Sequence, residues 1–252
     1  MYGYGMYGGG LMYGGDLYSY IFLVLPAVIF AMYAQAKVSG AFNKYSKVFN
    51  KKGYTGADLA RDMLEKAGVF GVNVERVSGS LTDHYDPRTK VLRLSDAVYS
   101  SKSIAALGVA AHETGHAIQD EEEYAFLKLR SLMVPIANIG SNASMPLIIL
   151  GILMGALSSS SNASTGMFFV QLGIILFAVS VLFTVITLPV EFNASSRAIS
   201  MLEEYHYLEN EEIKPAKKVL SAAAMTYVAA TAVAIANLLR LMLLFGGRRN
   251  NK

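Results

Sequence analysis

Of 252 residues, 53% are apolar and only 16% charged, a balance that excludes an ordinary soluble globule. The net charge of +3 says little by itself, and no nucleic-acid partner is expected. With no cysteine in the chain, disulfides and thiolate metal sites are excluded, so any metal must be held by His, Asp or Glu.

In chain order, residues 1–16 are low-complexity Tyr, Gly and Met, read as a flexible tail suited to a membrane boundary. Residues 17–36 (LYSYIFLVLPAVIFAMYAQA) are long enough to cross about 30 Å of hydrocarbon, which takes roughly 20 helical residues. They lack the basic start and small-residue cleavage site of a removable signal, so the segment is expected to stay as an anchor.

Residues 37–131 form an insert of ordinary composition. Within it, TGADLARDMLEKAG predicts a short helix with Thr55 as N-cap, Asp58 at the capping-box position and Gly68 just past the end. VNVERVSG alternates enough to predict a strand, and LTDHYDPRTKVLRLS predicts a hairpin turning at Asp86-Pro87-Arg88-Thr89. Serines 100, 101 and 103 then open a helix whose Ile104, Leu107, Ala111 and Ile118 share an apolar face.

Residues 132–190 hold two further spans. The first of these, about Leu132 to Leu157, carries Asn138, Ser141, Asn142 and Ser144 beside Pro135 and Pro146. Those polar groups call for neighbouring helices or a wet cavity. The next, Met167 to Val190, is apolar except for Gln171. Residues 191–219 follow as a second polar segment, residues 220–245 as an alanine-rich fourth span with Arg240 near its end, and residues 246–252 as a basic tail. Lys and Arg concentrate between spans one and two and between spans three and four. The positive-inside rule places both segments in the cytoplasm, although Arg248, Arg249 and Lys252 then fall outside.

The stretch AAHETGHAIQ, residues 110–119, sets His112 and His116 at i and i+4 on one helix face, where both imidazoles can converge on one ion. Glu113, one position round, reaches a water there without being a ligand. Neutral imidazole suits zinc, and a catalytic zinc keeps three protein ligands and an open position. Two histidines also share helices by chance. Here the flanks Val109, Ala110, Ala111, Gly115 and Ala117 suit a buried helix, in which unligated histidines would be costly.

No histidine follows at the metzincin spacing. The third ligand is expected to be Glu191 in LPVEFNASSRA, which two membrane crossings return to the face of His116; His206 in EEYHYLEN is the rival. His84 or Tyr85, on the hairpin, is expected either to donate to a developing oxyanion or to stabilise the turn. Extended substrate is expected to pair along residues 90–94.

AHETGHAIQ, LPVEFNASSRA, LTDHYDPRTKVLRLS and KKVLSAAAMTYVAA together resemble the YugP-like neutral zinc metallopeptidases, bacterial membrane proteins, over essentially the whole chain. The resemblance implies a gluzincin-type site with His112, His116 and Glu191 as zinc ligands and Glu113 as general base. The glutamate motif is similar to the EFxAD pattern of HtpX-type membrane proteases, with Ser195 where those have an aspartate that orients a zinc-binding histidine. Ser195 is a weaker acceptor, and Asn193 or an acid of the insert is the alternative for that task.

The fold expected is therefore a mainly α membrane protein: four transmembrane helices with a cytoplasmic α+β zincin-like insert between the first and second. The function expected is that of a zinc endopeptidase in the cell membrane. It would cleave membrane-associated proteins or peptides at the cytoplasmic face. The alternative is a non-catalytic zinc-containing scaffold or chaperone, for which a closed four-ligand site would be usual.

Overall fold

The computed structural model describes residues 17–79, 81–157 and 163–246. The expected Tyr/Gly-rich tail and basic tail lie outside the described residues. A π-turn at Tyr20–Val24 leads into α1 (Leu25–Tyr45), followed by α2 (Gly56–Lys66), β1 (Asn73–Val77), β2 (His84–Asp86), β3 (Val91–Ser95), the single turn α3 (Asp96–Tyr99) and α4 (Ile104–Glu121). Three long helices follow: α5 (Ala125–Leu157), α6 (Ala163–Glu204) and α7 (Asn210–Gly246).

Local chemistry fixes the small elements. Thr55 accepts from the Asp58 amide at 3.1 Å, and the Asp58 carboxylate accepts from the Thr55 amide at 3.2 Å, closing the capping box that starts α2. Beyond its C-cap, Gly68 takes φ +70°, the left-handed conformation that glycine enters without a Cβ clash. At the hairpin, Asp86 accepts from the Arg88 amide at 3.0 Å and the Thr89 hydroxyl at 2.8 Å, so the turn is held by its own side chain.

The sheet order is β1-β3-β2, with β3 parallel to β1 and antiparallel to β2. This corrects one expectation. Residues 91–93 of the stretch 90–94 lie in a central strand, paired to β1 on one side and β2 on the other, so no substrate strand can add along them. The free edge on the hairpin side belongs to β2.

Among the described residues, four helices are long and apolar enough to cross a membrane: Leu17–Tyr45, Ala125–Gly155, Ser164–Glu204 and Asn210–Gly246. They outrun the apolar segments seen in sequence. α6 continues without a break through EFNASSRA, because Ala194, Ala198 and Leu202 recur at i, i+4 and i+8 and are wholly buried.

The chain divides into two compact units. One comprises Tyr33–Ser131 and Ile186–Val228; the other comprises Leu132–Val185 with the described residues of Met1–Met32 and Ala229–Lys252. The core of the first is built from Leu59, Met63, Leu92, Leu94, Leu107 and Leu202, all fully buried. In the second, α5 and α6 meet at glycines. A Cβ on Gly173 would sit 2.7 Å from the Ser144 carbonyl oxygen, and one on Gly151 would overlap the Gly166 carbonyl. Ser141 and Ser144 donate at 3.2 Å to carbonyls three residues back in their own helix, and Ser180 donates across to Ala137 at 3.2 Å. The Ser141 and Ser144 hydroxyls of the second span are thus satisfied by backbone.

Candidate metal centre

α4 starts where the Ser103 hydroxyl accepts from the Ala106 amide at 3.2 Å, and most of its length is buried. Its small residues are what bring α6 close. A Cβ on Gly115 would lie 2.7 Å from the Ala194 carbonyl oxygen, so only glycine admits the α6 backbone at the turn that carries Glu191.

That approach brings the three residues together. His112 Nε2 lies 3.2 Å and His116 Nε2 3.6 Å from the same oxygen of Glu191, Oε2, and the imidazole rings stand 4.7 Å apart between centroids. One donor atom from each residue falls within 4.8 Å of the others, and among the described residues this is the one cluster of three or more such groups. Glu191 is 2% exposed and Glu113 9%, so both carboxylates are withdrawn from water. His206 takes φ 53° in the turn after α6, beside Lys51 and Lys52, and is not part of the cluster.

The far side of each ring is held. Gln119, 0% exposed, donates its amide to the Val190 carbonyl and the Asn193 side-chain oxygen, each at 2.9 Å. Its own oxygen must therefore face His116 Nδ1, 2.9 Å away. That nitrogen is the N–H donor, so in the neutral ring Nε2 carries the lone pair on the Glu191 side. Ser195 Oγ lies 3.1 Å from His112 Nδ1 and holds the other ring from that side. Asn193 does not touch a histidine. It acts through Gln119, and is itself fixed by Arg197, which donates at 2.7 Å and pairs onward with Glu122 at 2.6 Å.

Charge at the centre favours a cation. Burial disfavours the His116 imidazolium, yet the Glu191 and Glu113 carboxylates outweigh it and hold the ring's pKa above its ordinary value. Two imidazole nitrogens and one carboxylate oxygen, with a further group held against each of the three residues, form a donor set that fits zinc. The remaining oxygen of Glu191 is taken by Arg130, whose guanidinium lies 3.2 Å away with its side chain 32% exposed. Tyr227 of α7 lies near enough to Glu191 and Glu113 to interact with both carboxylates.

The hydrogen bonds of the two hairpin residues run elsewhere. Tyr85 donates to Asp120 at 2.7 Å, and burial together with that carboxylate raises its pKa far above the ordinary phenol range. His84 Nδ1 lies 2.8 Å from the Thr82 carbonyl. Three residues at the centre were missed from sequence: Gln119, Arg130 and Tyr227. Gln119 carried a signal, since it falls three positions after His116 on the same helix face. Arg130 carried none beyond its charge.

A family model described as "Putative neutral zinc metallopeptidase" matches residues 20–246. The chain is 46% identical over 233 residues to "Putative membrane protease YugP" of Bacillus subtilis (strain 168), an alignment covering 92% of this chain and 99% of that protein. No solved structure matches.

Proposed function

The chain belongs to the neutral zinc metallopeptidase family, and from that premise we propose that it is a gluzincin-type endopeptidase hydrolysing membrane-associated proteins or peptides. The observation that carries this reading is the convergence of two imidazole Nε2 atoms on one buried carboxylate oxygen, at 3.2 and 3.6 Å, with a second buried carboxylate one residue from His112. His112, His116 and Glu191 would hold zinc, which supplies Lewis acidity, bringing the pKa of water to about 7 and polarising a carbonyl. Three protein ligands leave a position for chemistry, which favours catalysis over a closed structural site.

The protein's own residues do the rest. Glu113 takes the proton from the attacking water on its carboxylate and passes it to the departing amine nitrogen. Gln119 and Ser195 keep both rings in the orientation that presents Nε2. Arg130 donates to Glu191 and the Tyr227 phenol lies close to the same carboxylate, and this reading gives these two groups the developing oxyanion in place of His84 and Tyr85. Extended substrate lies along the β2 edge, which packs on the metal helix through the bond from Tyr85 to Asp120.

The test is cleavage of casein or a quenched peptide by the purified full chain. Wild type cleaves, and Glu113→Gln retains metal while losing turnover. Equal turnover in the two proteins would remove the proposed chemistry. The same reading places the centre at the cytoplasmic face of the cell membrane. The chain has no cysteine, so a single Lys52→Cys substitution reports sidedness. Labelling of intact cells by an impermeant maleimide contradicts that placement, and labelling only after lysis supports it.

A further inference from the structure

Away from the metal centre, a cavity of about 540 Å³ between the ends of α1 and α7 is lined by Lys37, Lys44, Lys217 and Lys218, with Ala41 and Ala222 among its apolar walls. No acidic residue lines it. Of the four lysines, Lys217 is ion-paired, to Glu203 at 2.7 Å. Lys37 and Lys44 lie over the rings of Tyr33 and Tyr45, each at 5.5 Å, contacts that leave the charge in place. The four lysines are exposed, and an anion entering the cavity would be attracted by all of them.

The lysines also sit at a telling depth along their helices. Lys37 directly follows the apolar run of residues 17–36, and Lys217 and Lys218 directly precede that of residues 220–245. Both helices thus pass from apolar to basic at the same cavity. On the other side of α7, an apolar trough of about 520 Å³ is lined by Phe192, Ile199, Leu220 and Val228. Lys217, Ser221 and Met225, at i, i+4 and i+8 on α7, line both spaces.

We propose that this pair of cavities is a binding site for an anionic phospholipid, its phosphate headgroup among the four lysines and one acyl chain along the trough. A free phosphate would satisfy the lysines but leave the trough without an occupant, and a zwitterionic lipid would bring a choline cation against them. The site does not depend on the peptidase reading.

The experiment is thermal unfolding of the purified full chain in a zwitterionic detergent, titrated separately with phosphatidylglycerol, phosphatidylcholine and inorganic phosphate. Phosphatidylglycerol raises the Tm and the other two do not. In Lys37→Gln/Lys44→Gln/Lys218→Gln, the apparent affinity for phosphatidylglycerol falls on the order of a hundredfold, about fivefold per lysine. A control with the same charge loss elsewhere, Lys47→Gln/Lys52→Gln/Lys128→Gln, responds like wild type. If the triple variant fails to fold, Lys218→Gln alone shows the fivefold loss. Equal shifts with phosphatidylcholine, a shift with phosphate alone, or equal losses in the cavity and control variants would each overturn the site.

Discussion

The metal-bearing unit and the apolar helical unit both rely on glycine to bring two helices into backbone contact, but they use that contact differently. In the apolar unit, Gly173 and Gly151 let α5 and α6 close on one another, and the side-chain bond across the seam, from Ser180, goes to a carbonyl. In the other unit, Gly115 lets α4 and α6 close so that side chains can meet: His112, His116 and Gln119 from one helix, with Glu191, Asn193 and Ser195 from the other. A steric device that in one place only packs helices in another sets ligand geometry.

Substitutions separate these roles. The largest effect belongs to chemistry alone: Glu113→Gln lowers peptide cleavage by about 10²–10⁴-fold, measured as kcat/KM, with metal content and Tm unchanged. Gly115→Ala forces a Cβ against the Ala194 carbonyl and displaces Glu191 from the imidazoles. Since an error of about 1 Å in such a site costs about a hundredfold, that loss is expected in activity, with a parallel loss of zinc in a chelator competition. Gln119→Leu frees His116 Nδ1 and the Val190 carbonyl, and lowers zinc affinity roughly 10–100-fold. By contrast, Gly173→Ala overpacks the seam of the apolar unit, costing about 1–3 kcal/mol in unfolding while zinc affinity holds. If Gly173→Ala lost zinc as Gly115→Ala does, the two contacts would not have distinct roles.

The smallest effect is at the α2 cap, where Thr55→Ala costs about 1 kcal/mol of stability near neutral pH. The Thr55 hydroxyl, against a smaller opposing effect of burial, holds the Asp58 pKa below the usual carboxylate range. A carboxylate with a lowered pKa stabilises above its unfolded value, and that contribution disappears as the pH falls through the folded one. The Thr55→Ala penalty therefore shrinks in acid, which urea titration at two pH values would measure.

What could be read from the sequence was mostly local. The capping box, the Asp86 turn and the i, i+4 histidines each lie within one or two turns of chain, where spacing dictates geometry. Glu191 was reachable because counting membrane crossings is itself a long-range constraint. The central place of β3 was not legible: it follows from the parallel pairing of Asn73–Val77 with Val91–Ser95, for which the hairpin gives no sign. Nor was the role of Gln119, whose partner Val190 lies 71 positions away. The continuation of α6 past Val190 was hidden by the change from apolar to polar residues, although Ala194, Ala198 and Leu202 kept the helical period.

One ion shared by α4 and α6 is the centre of the proposed chemistry, and elemental analysis of purified protein tests for it most directly. The expected result is about one zinc per chain in wild type and in Glu113→Gln, with little or none in Glu191→Ala. Metal-free wild type prepared without chelator, or full zinc occupancy in Glu191→Ala, would contradict it.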